Sequence, residues 1–85
     1  STFLMKVFFN LPSGRILTTE VEPCTVIRSV IPKICDATLL NEKFFEEDYY
    51  GGCTLIHEGK KLDINKTFED NGIKENYSIL VSTGI

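Results

Sequence analysis

The densest chemistry in the chain lies at residues 55–62, Leu55-Ile56-His57-Glu58-Gly59-Lys60-Lys61-Leu62, where an imidazole, a carboxylate and two ammonium groups surround a glycine. A glycine turn flanked by lysines suits an anion, because backbone N–H groups and positive charge converge there. The same string between apolar segments also describes a tight chain reversal whose lysines stay in water. We read it as a reversal. His57 is the only histidine in the sequence, and no serine, cysteine or aspartate stands where it would build a nucleophile–base pair with it. No phosphate-binding loop occurs elsewhere, so no catalytic residue, and no small-molecule substrate, is expected.

The three cysteines, Cys24, Cys35 and Cys53, form no C-x-x-C pair and leave one thiol over in any disulfide scheme. A structural zinc wants close cysteine pairs with histidine, so neither a metal nor another cofactor is expected. The thiols read as small, mostly buried groups of a reducing compartment, cytoplasmic or nuclear. Two glycosylation sequons, Asn65-Lys66-Thr67 and Asn76-Tyr77-Ser78, matter only in a secreted chain. A net charge of −3 with only one adjacent basic pair, Lys60-Lys61, argues against a nucleic-acid partner, which requires a concentrated basic face. No apolar run approaches about 18 residues, and the ending offers no lipidation signal, so no membrane segment is expected.

What must position these residues is a single domain over residues 1–85, large enough for one compact apolar core. Met5, Val7 and Phe9 alternate with Lys6, Phe8 and Asn10, and Leu17, Thr19 and Val21 alternate with Ile16, Thr18 and Glu20. That period of two predicts paired strands, joined by a bulged turn at Gly14. After Pro23, Thr25 is the expected N-cap of a helix whose stripe is Val26, Ile27, Val30, Ile31 and Ile34. Pro32 lies on the polar side of that stripe, so a kink rather than a stop is expected there, and Pro32→Ala should then stabilise the fold. Residues 37–52, ATLLNEKFFEEDYYGG, read as an acidic, aromatic insert. Asn41 could cap a short helix there, with Leu40, Phe44, Phe45 and Tyr49 on one face, folded onto the core or offered to a partner. Cys53–His57, the Glu58-Gly59 turn, Lys61-Leu62, a helical turn from Thr67 anchored by Phe68 and Ile73, and a last strand from Tyr77 to Val81 complete an α+β roll.

The succession of these segments resembles the ubiquitin superfamily. Met5-Lys6-Val7-Phe8 looks like the first strand of that family, Gly14 its hairpin glycine, and Glu20-Val21-Glu22-Pro23 the end of its second strand. Leu55 to Leu62 looks like its third strand, Gly-Lys turn and short fourth strand, and Thr67-Phe68-Glu69-Asp70 with Ile73 the turn before its last strand. The resemblance implies a ubiquitin-like β-grasp fold: a mixed sheet of four to five strands packed on one helix, here with the inserted acidic-aromatic segment. It also implies a protein-binding patch on the open sheet face, where alternation turns Ile56 and Leu80 outward with Lys60 beside them. The hairpin-loop leucine of the family's patch is replaced by Pro12, with Leu11 next to it. The family's basic border becomes Thr54 and Gly84, its last-strand histidine Leu80, and the neighbouring valine Ser82. Phe8 and Ile16, expected as cross-strand neighbours on the outer face, form a second contact site.

The function expected is therefore a non-catalytic, monomeric interaction domain of a larger protein, recruiting ubiquitin-pathway, proteasomal or quality-control partners. One alternative is a protein modifier conjugated through Gly84 after removal of Ile85, although the ending Ser82-Thr83-Gly84-Ile85 lacks the family's diglycine. Another is a scaffold that binds through the 37–52 insert.

Overall fold

Hydrophobic alternation places Met5, Val7 and Phe9 of the first strand in the core and leaves Lys6 in water. The computed structural model describes residues 3–46 and 52–83. Their elements are β1 (Met5–Asn10), β2 (Ile16–Val21), a 3-10 turn at Ile27–Val30, α1 (Ile31–Thr38), a second 3-10 turn at Glu42–Phe45, β3 (Cys53–His57), β4 (Lys60–Lys61) and β5 (Ser78–Thr83). They form a five-stranded mixed sheet in the order β2-β1-β5-β3-β4. β1 pairs antiparallel with β2 and parallel with β5, while β3 pairs antiparallel with both β5 and β4. One sheet face packs on α1, and Val7, Phe9, Leu55, Ile79 and Val81 from the strands meet Ile27, Ile31, Ile34 and Phe68 in one core. This is the α+β roll expected from the sequence.

Local chemistry explains the chain reversals. Glu58 and Gly59 both have positive φ, 49° and 77°, as the two-residue connection that matches strand twist requires. The turn that follows β4 is fixed by side chains: Asn71 donates from Nδ2 to the carbonyls of Asp63 and Thr67, and Thr67 Oγ1 accepts from the Asp70 N–H. Phe68 and Ile73 anchor it in the core as expected.

The helix departs from expectation in four ways. No single helix runs from Val26 to Ile34, because a 3-10 turn precedes α1. Thr25 does not cap it: the free N–H groups of Ile27 and Arg28 donate to the carbonyls of Lys66 and Ile64, and the Thr25 carbonyl accepts from Phe68. Those long-range bonds satisfy the donors that a capping side chain would have taken. They also turn Val26 outward, 41% exposed, as a bridge partner of Thr67, so the buried stripe starts at Ile27. Pro32 therefore kinks nothing. It stands in the first turn of α1, where its missing N–H is not needed and its fixed φ is helical already, and the Arg28 carbonyl is taken by Ile31.

α1 continues through Thr38, so the first residues of the expected insert are its last turn. Leu39 ends it in the left-handed region at φ 63°, its N–H bonded to the Cys35 carbonyl. Asn41 does cap the next turn, accepting from the Lys43 N–H at 3.0 Å. Phe45 is buried in the core and Phe44 packs against it.

Two stability outcomes follow from these details. Pro32→Ala should lower stability by about 0.4–1 kcal/mol, because alanine frees the unfolded chain and recovers no hydrogen bond. That sign is the reverse of the kinked-helix expectation, and urea unfolding of the two proteins checks it. Thr19 is 3% exposed and its hydroxyl finds no partner among the described residues. Thr19→Val keeps the shape and removes a polar group left without a hydrogen bond, which should stabilise by about 1–2 kcal/mol. A thermal midpoint raised by several degrees is the expected reading, and an unchanged or lowered midpoint contradicts it.

Candidate functional site

The sheet face turned away from α1 is set by strand phase. In β3 the buried residues are Cys53 and Leu55, and in β5 they are Ile79 and Val81, so Ile56 and Leu80 point the other way. They stand directly opposite one another in the β3–β5 ladder. Leu80 is 47% exposed and Ile56 is half-buried. Directly opposed residues on neighbouring strands have Cβ atoms about 5 Å apart, so the two side chains share one apolar surface.

The register extends this pair across the whole sheet. Lys61 stands opposite Ile56, Leu80 beside Asn10, and Asn10 opposite Ile16. One row thus reads Lys61, Ile56, Leu80, Asn10, Ile16, with Ile16 60% exposed. Phe8 lies one step along β1, opposite Thr18 and beside Ser78, so it is diagonal to both Ile16 and Leu80 rather than directly across from Ile16. Phe8 is half-buried. What the sequence suggests as two separate contact sites is one continuous arc, Ile56, Leu80, Phe8, Ile16, around the amide of Asn10.

Several expected members fall elsewhere. Lys60 pairs with His57 and takes that residue's side of the sheet, so the lysine level with Ile56 is Lys61. Leu11 is a core residue, 4% exposed, because the hairpin loop folds its side chain inward; its backbone closes the turn with Arg15. Phe45 is likewise buried, which removes it from any partner surface, and Phe44 is half-buried against the core. Tyr49, Gly84 and Ile85 lie outside the described residues. Asn10 and Lys61 were missed by sequence reasoning. Lys61 could have been found by counting back from the two-residue turn, whereas Asn10 depends on the parallel β1–β5 register, which no local pattern encodes.

His57, at the centre of the charged turn, is a clamp between strands. Its ring donates from Nδ1 to the Ser78 carbonyl at 2.8 Å and stacks on Tyr77 with centroids 4.5 Å apart. Its Nε2 lies 3.5 Å from the Glu58 carboxylate. The buried thiols of Cys35 and Cys53 are both pushed up by desolvation, Cys35 further by the carboxylates of Glu42 and Asp36 and by Cys53. A thiol held protonated in this way is a poor nucleophile and a poor metal ligand. Cys24 is exposed, so two of the three thiols are buried, in line with the expectation of mostly buried cysteines. Among the described residues no group of three His, Cys, Asp or Glu side chains is placed to hold a metal ion, and no helix is long and apolar enough to cross a membrane. An open cleft of about 380 Å³ lies beside β3, but its guanidinium is engaged: Arg28 Nε donates to Asn65 at 2.9 Å, and the group lies 3.7 Å from Glu46.

No family model matches the chain, and no curated protein matches it. Solved structures do. A ubiquitin of Caldiarchaeum subterraneum superposes with a TM-score of 0.75 at 22% identity, covering 95% of this chain and 94% of that one. A de novo designed protein based on ubiquitin gives a TM-score of 0.75 at 20% identity, over 94% of this chain and 88% of the other. With the sheet order and the single helix already described, the chain has the ubiquitin-like β-grasp fold.

Proposed function

We propose that this chain is a non-catalytic protein-interaction domain that binds its partner through the outer sheet face, centred on Ile56 and Leu80. The observation that carries the reading is their direct opposition in the β3–β5 ladder, with Leu80 47% exposed on the side away from the helix. Apolar groups gathered on an open face bordered by polar residues are the usual footprint of a protein partner. The fold makes ubiquitin-pathway or proteasomal receptors the first partners to try, in the cytoplasm or nucleus. The replacement of a basic border by Thr54, and the more apolar centre given by Leu80, favour a partner of stronger hydrophobic character. The insert supports a partner site less well, since Phe45 is in the core.

The test pairs the two faces of one strand. Leu55 is 1% exposed, so Leu55→Ala opens a core cavity and should cost about 2–5 kcal/mol of folding stability. Ile56→Ala should leave the thermal midpoint nearly unchanged while weakening a ubiquitin-receptor domain, titrated by NMR, by about 1–3 kcal/mol as a central anchor. An Ile56→Ala protein that binds the receptor as tightly as its parent contradicts the proposal.

A further inference from the structure

We propose that Asn71-Gly72 is a shielded deamidation site, and that opening of the turn over residues 63–73 converts Asn71 irreversibly to aspartate and isoaspartate. The inference is independent of which partner the outer sheet face takes.

The dipeptide carries the reactivity. Asparagine is among the thermolabile residues, and of the asparagines in the chain only Asn71 is followed by glycine. Glycine has no Cβ to crowd its nitrogen, and its backbone freedom lets that nitrogen swing onto the preceding side chain. The step is internal. The Gly72 nitrogen gives its proton to water and bonds to Asn71 Cγ, the Cγ–Nδ2 bond breaks, and ammonia leaves with a proton from solvent. Water then opens the cyclic imide. Attack at Cγ leaves aspartate, and attack at the main-chain carbonyl leaves isoaspartate, whose backbone runs through the side-chain carbon. The sum is one amide hydrolysed by one water.

The fold ties down both reacting groups. Asn71 Nδ2 directs its two N–H donors to the carbonyls of Asp63 at 3.0 Å and Thr67 at 2.8 Å, and Oδ1 accepts the Asp63 N–H at 2.9 Å. Closing the imide requires rotation of that carboxamide, and all three bonds oppose it. The Gly72 N–H is engaged as well, donating to the Glu69 carbonyl at 3.0 Å with Gly72 at φ 74°. On either side, the N–H groups of Asn71 and Ile73 donate to the Phe68 carbonyl at 3.1 and 3.0 Å. A hydrogen bond shifts an equilibrium by about fivefold on average, so the carboxamide bonds alone hold the open population near about one in a hundred.

The turn that shields Asn71 also supports the core. It buries Phe68 and Ile73, 0% and 3% exposed, and its Ile64 and Lys66 carbonyls take the N–H groups of Arg28 and Ile27. Conversion prevents the turn from closing as before. A carboxylate oxygen in place of Nδ2 faces two carbonyl oxygens with no proton between them, and isoaspartate adds a carbon to the main chain between the two N–H groups that bond Phe68. A transient opening thus becomes permanent, and the site marks molecules whose core has been exposed.

The test follows each asparagine by peptide mass spectrometry while the domain is incubated in mildly alkaline buffer, native and in denaturing urea. In urea Asn71 should convert faster than Asn10, Asn41, Asn65 and Asn76, and in the native domain it should convert at least about a hundredfold more slowly than in urea. Thr67→Ala removes the hydroxyl that accepts from the Asp70 N–H at 3.0 Å and should raise the native rate about fivefold, whereas Thr67→Ser should leave it unchanged. Asn71→Asp, which makes the product directly, should melt several degrees below the parent. Equal Asn71 rates in native buffer and in urea, or a Thr67→Ala rate equal to the parent's, would overturn the shielding. An Asn71 that converts in urea no faster than Asn65 would overturn the site itself, and a parent-like midpoint for Asn71→Asp would overturn the irreversible opening.

Discussion

The parallel pairing of β1 with β5 is the constraint on which the rest of the structure depends. It joins the first hairpin to the last strand, with Phe8 beside Ser78, Phe9 beside Ile79 and Asn10 beside Leu80. Three backbone contacts lock it at one end. The Phe8 N–H donates to the Tyr77 carbonyl at 3.0 Å, and the Asn76 N–H to the Lys6 carbonyl at 2.7 Å. The Lys6 N–H is held by the Glu75 carboxylate at 3.1 and 2.9 Å. Asn76 reaches this position only through a positive φ of 68°, which asparagine tolerates better than most residues. A slip of one residue in this ladder would drive Leu80 into the core and Ile79 into water, so burial of the fully enclosed Ile79 and Phe9 fixes the register.

The same register that fills the core composes the outer face. Because β5 sits between β1 and β3, its one outward leucine meets Ile56 on one side and Asn10 on the other. Neither half of the sheet holds a sizeable apolar surface alone. The hairpin contributes Phe8 and Ile16, β3 contributes Ile56, and Leu80 connects them. Energetics separate the two faces: a buried leucine is worth several kcal/mol to the fold, whereas a half-exposed one contributes little until a partner covers it. Mutational effects on folding and on binding should accordingly divide along each strand with a period of two.

Much of this was legible in the residues. Alternation gave both strands of the hairpin, the phase of Leu55 against Ile56, and Ile79 against Leu80, since each rests on a strict period of two with one buried face. The Glu58-Gly59 reversal followed from turn chemistry. The helix start was misread because its donors are satisfied by carbonyls of Ile64 and Lys66, far along the chain, and no local capping pattern reveals that. Pro32 was misplaced for the same reason, since an apolar stripe of helical period does not distinguish a 3-10 turn from the α-turn that follows it. Leu11 is expected on the patch only because it adjoins Pro12, which stands at the family's hairpin-loop leucine, and that neighbourhood does not reveal that the loop folds its side chain inward. Lys60 and Lys61 exchanged roles over a one-residue difference in where β4 begins, the kind of boundary that sequence patterns resolve least well.

The most direct measurement of the central claim, that one outward row crosses the sheet through Leu80, is methyl relaxation by a soluble gadolinium chelate. The structure predicts strong enhancement at Leu80 and Ile16, an intermediate effect at Ile56, and almost none at Leu55, Ile79 and Val81, which are 1%, 0% and 1% exposed. Strong enhancement at Ile79 with Leu80 protected would contradict it, because β5 would then pair in the opposite phase and no continuous row would exist.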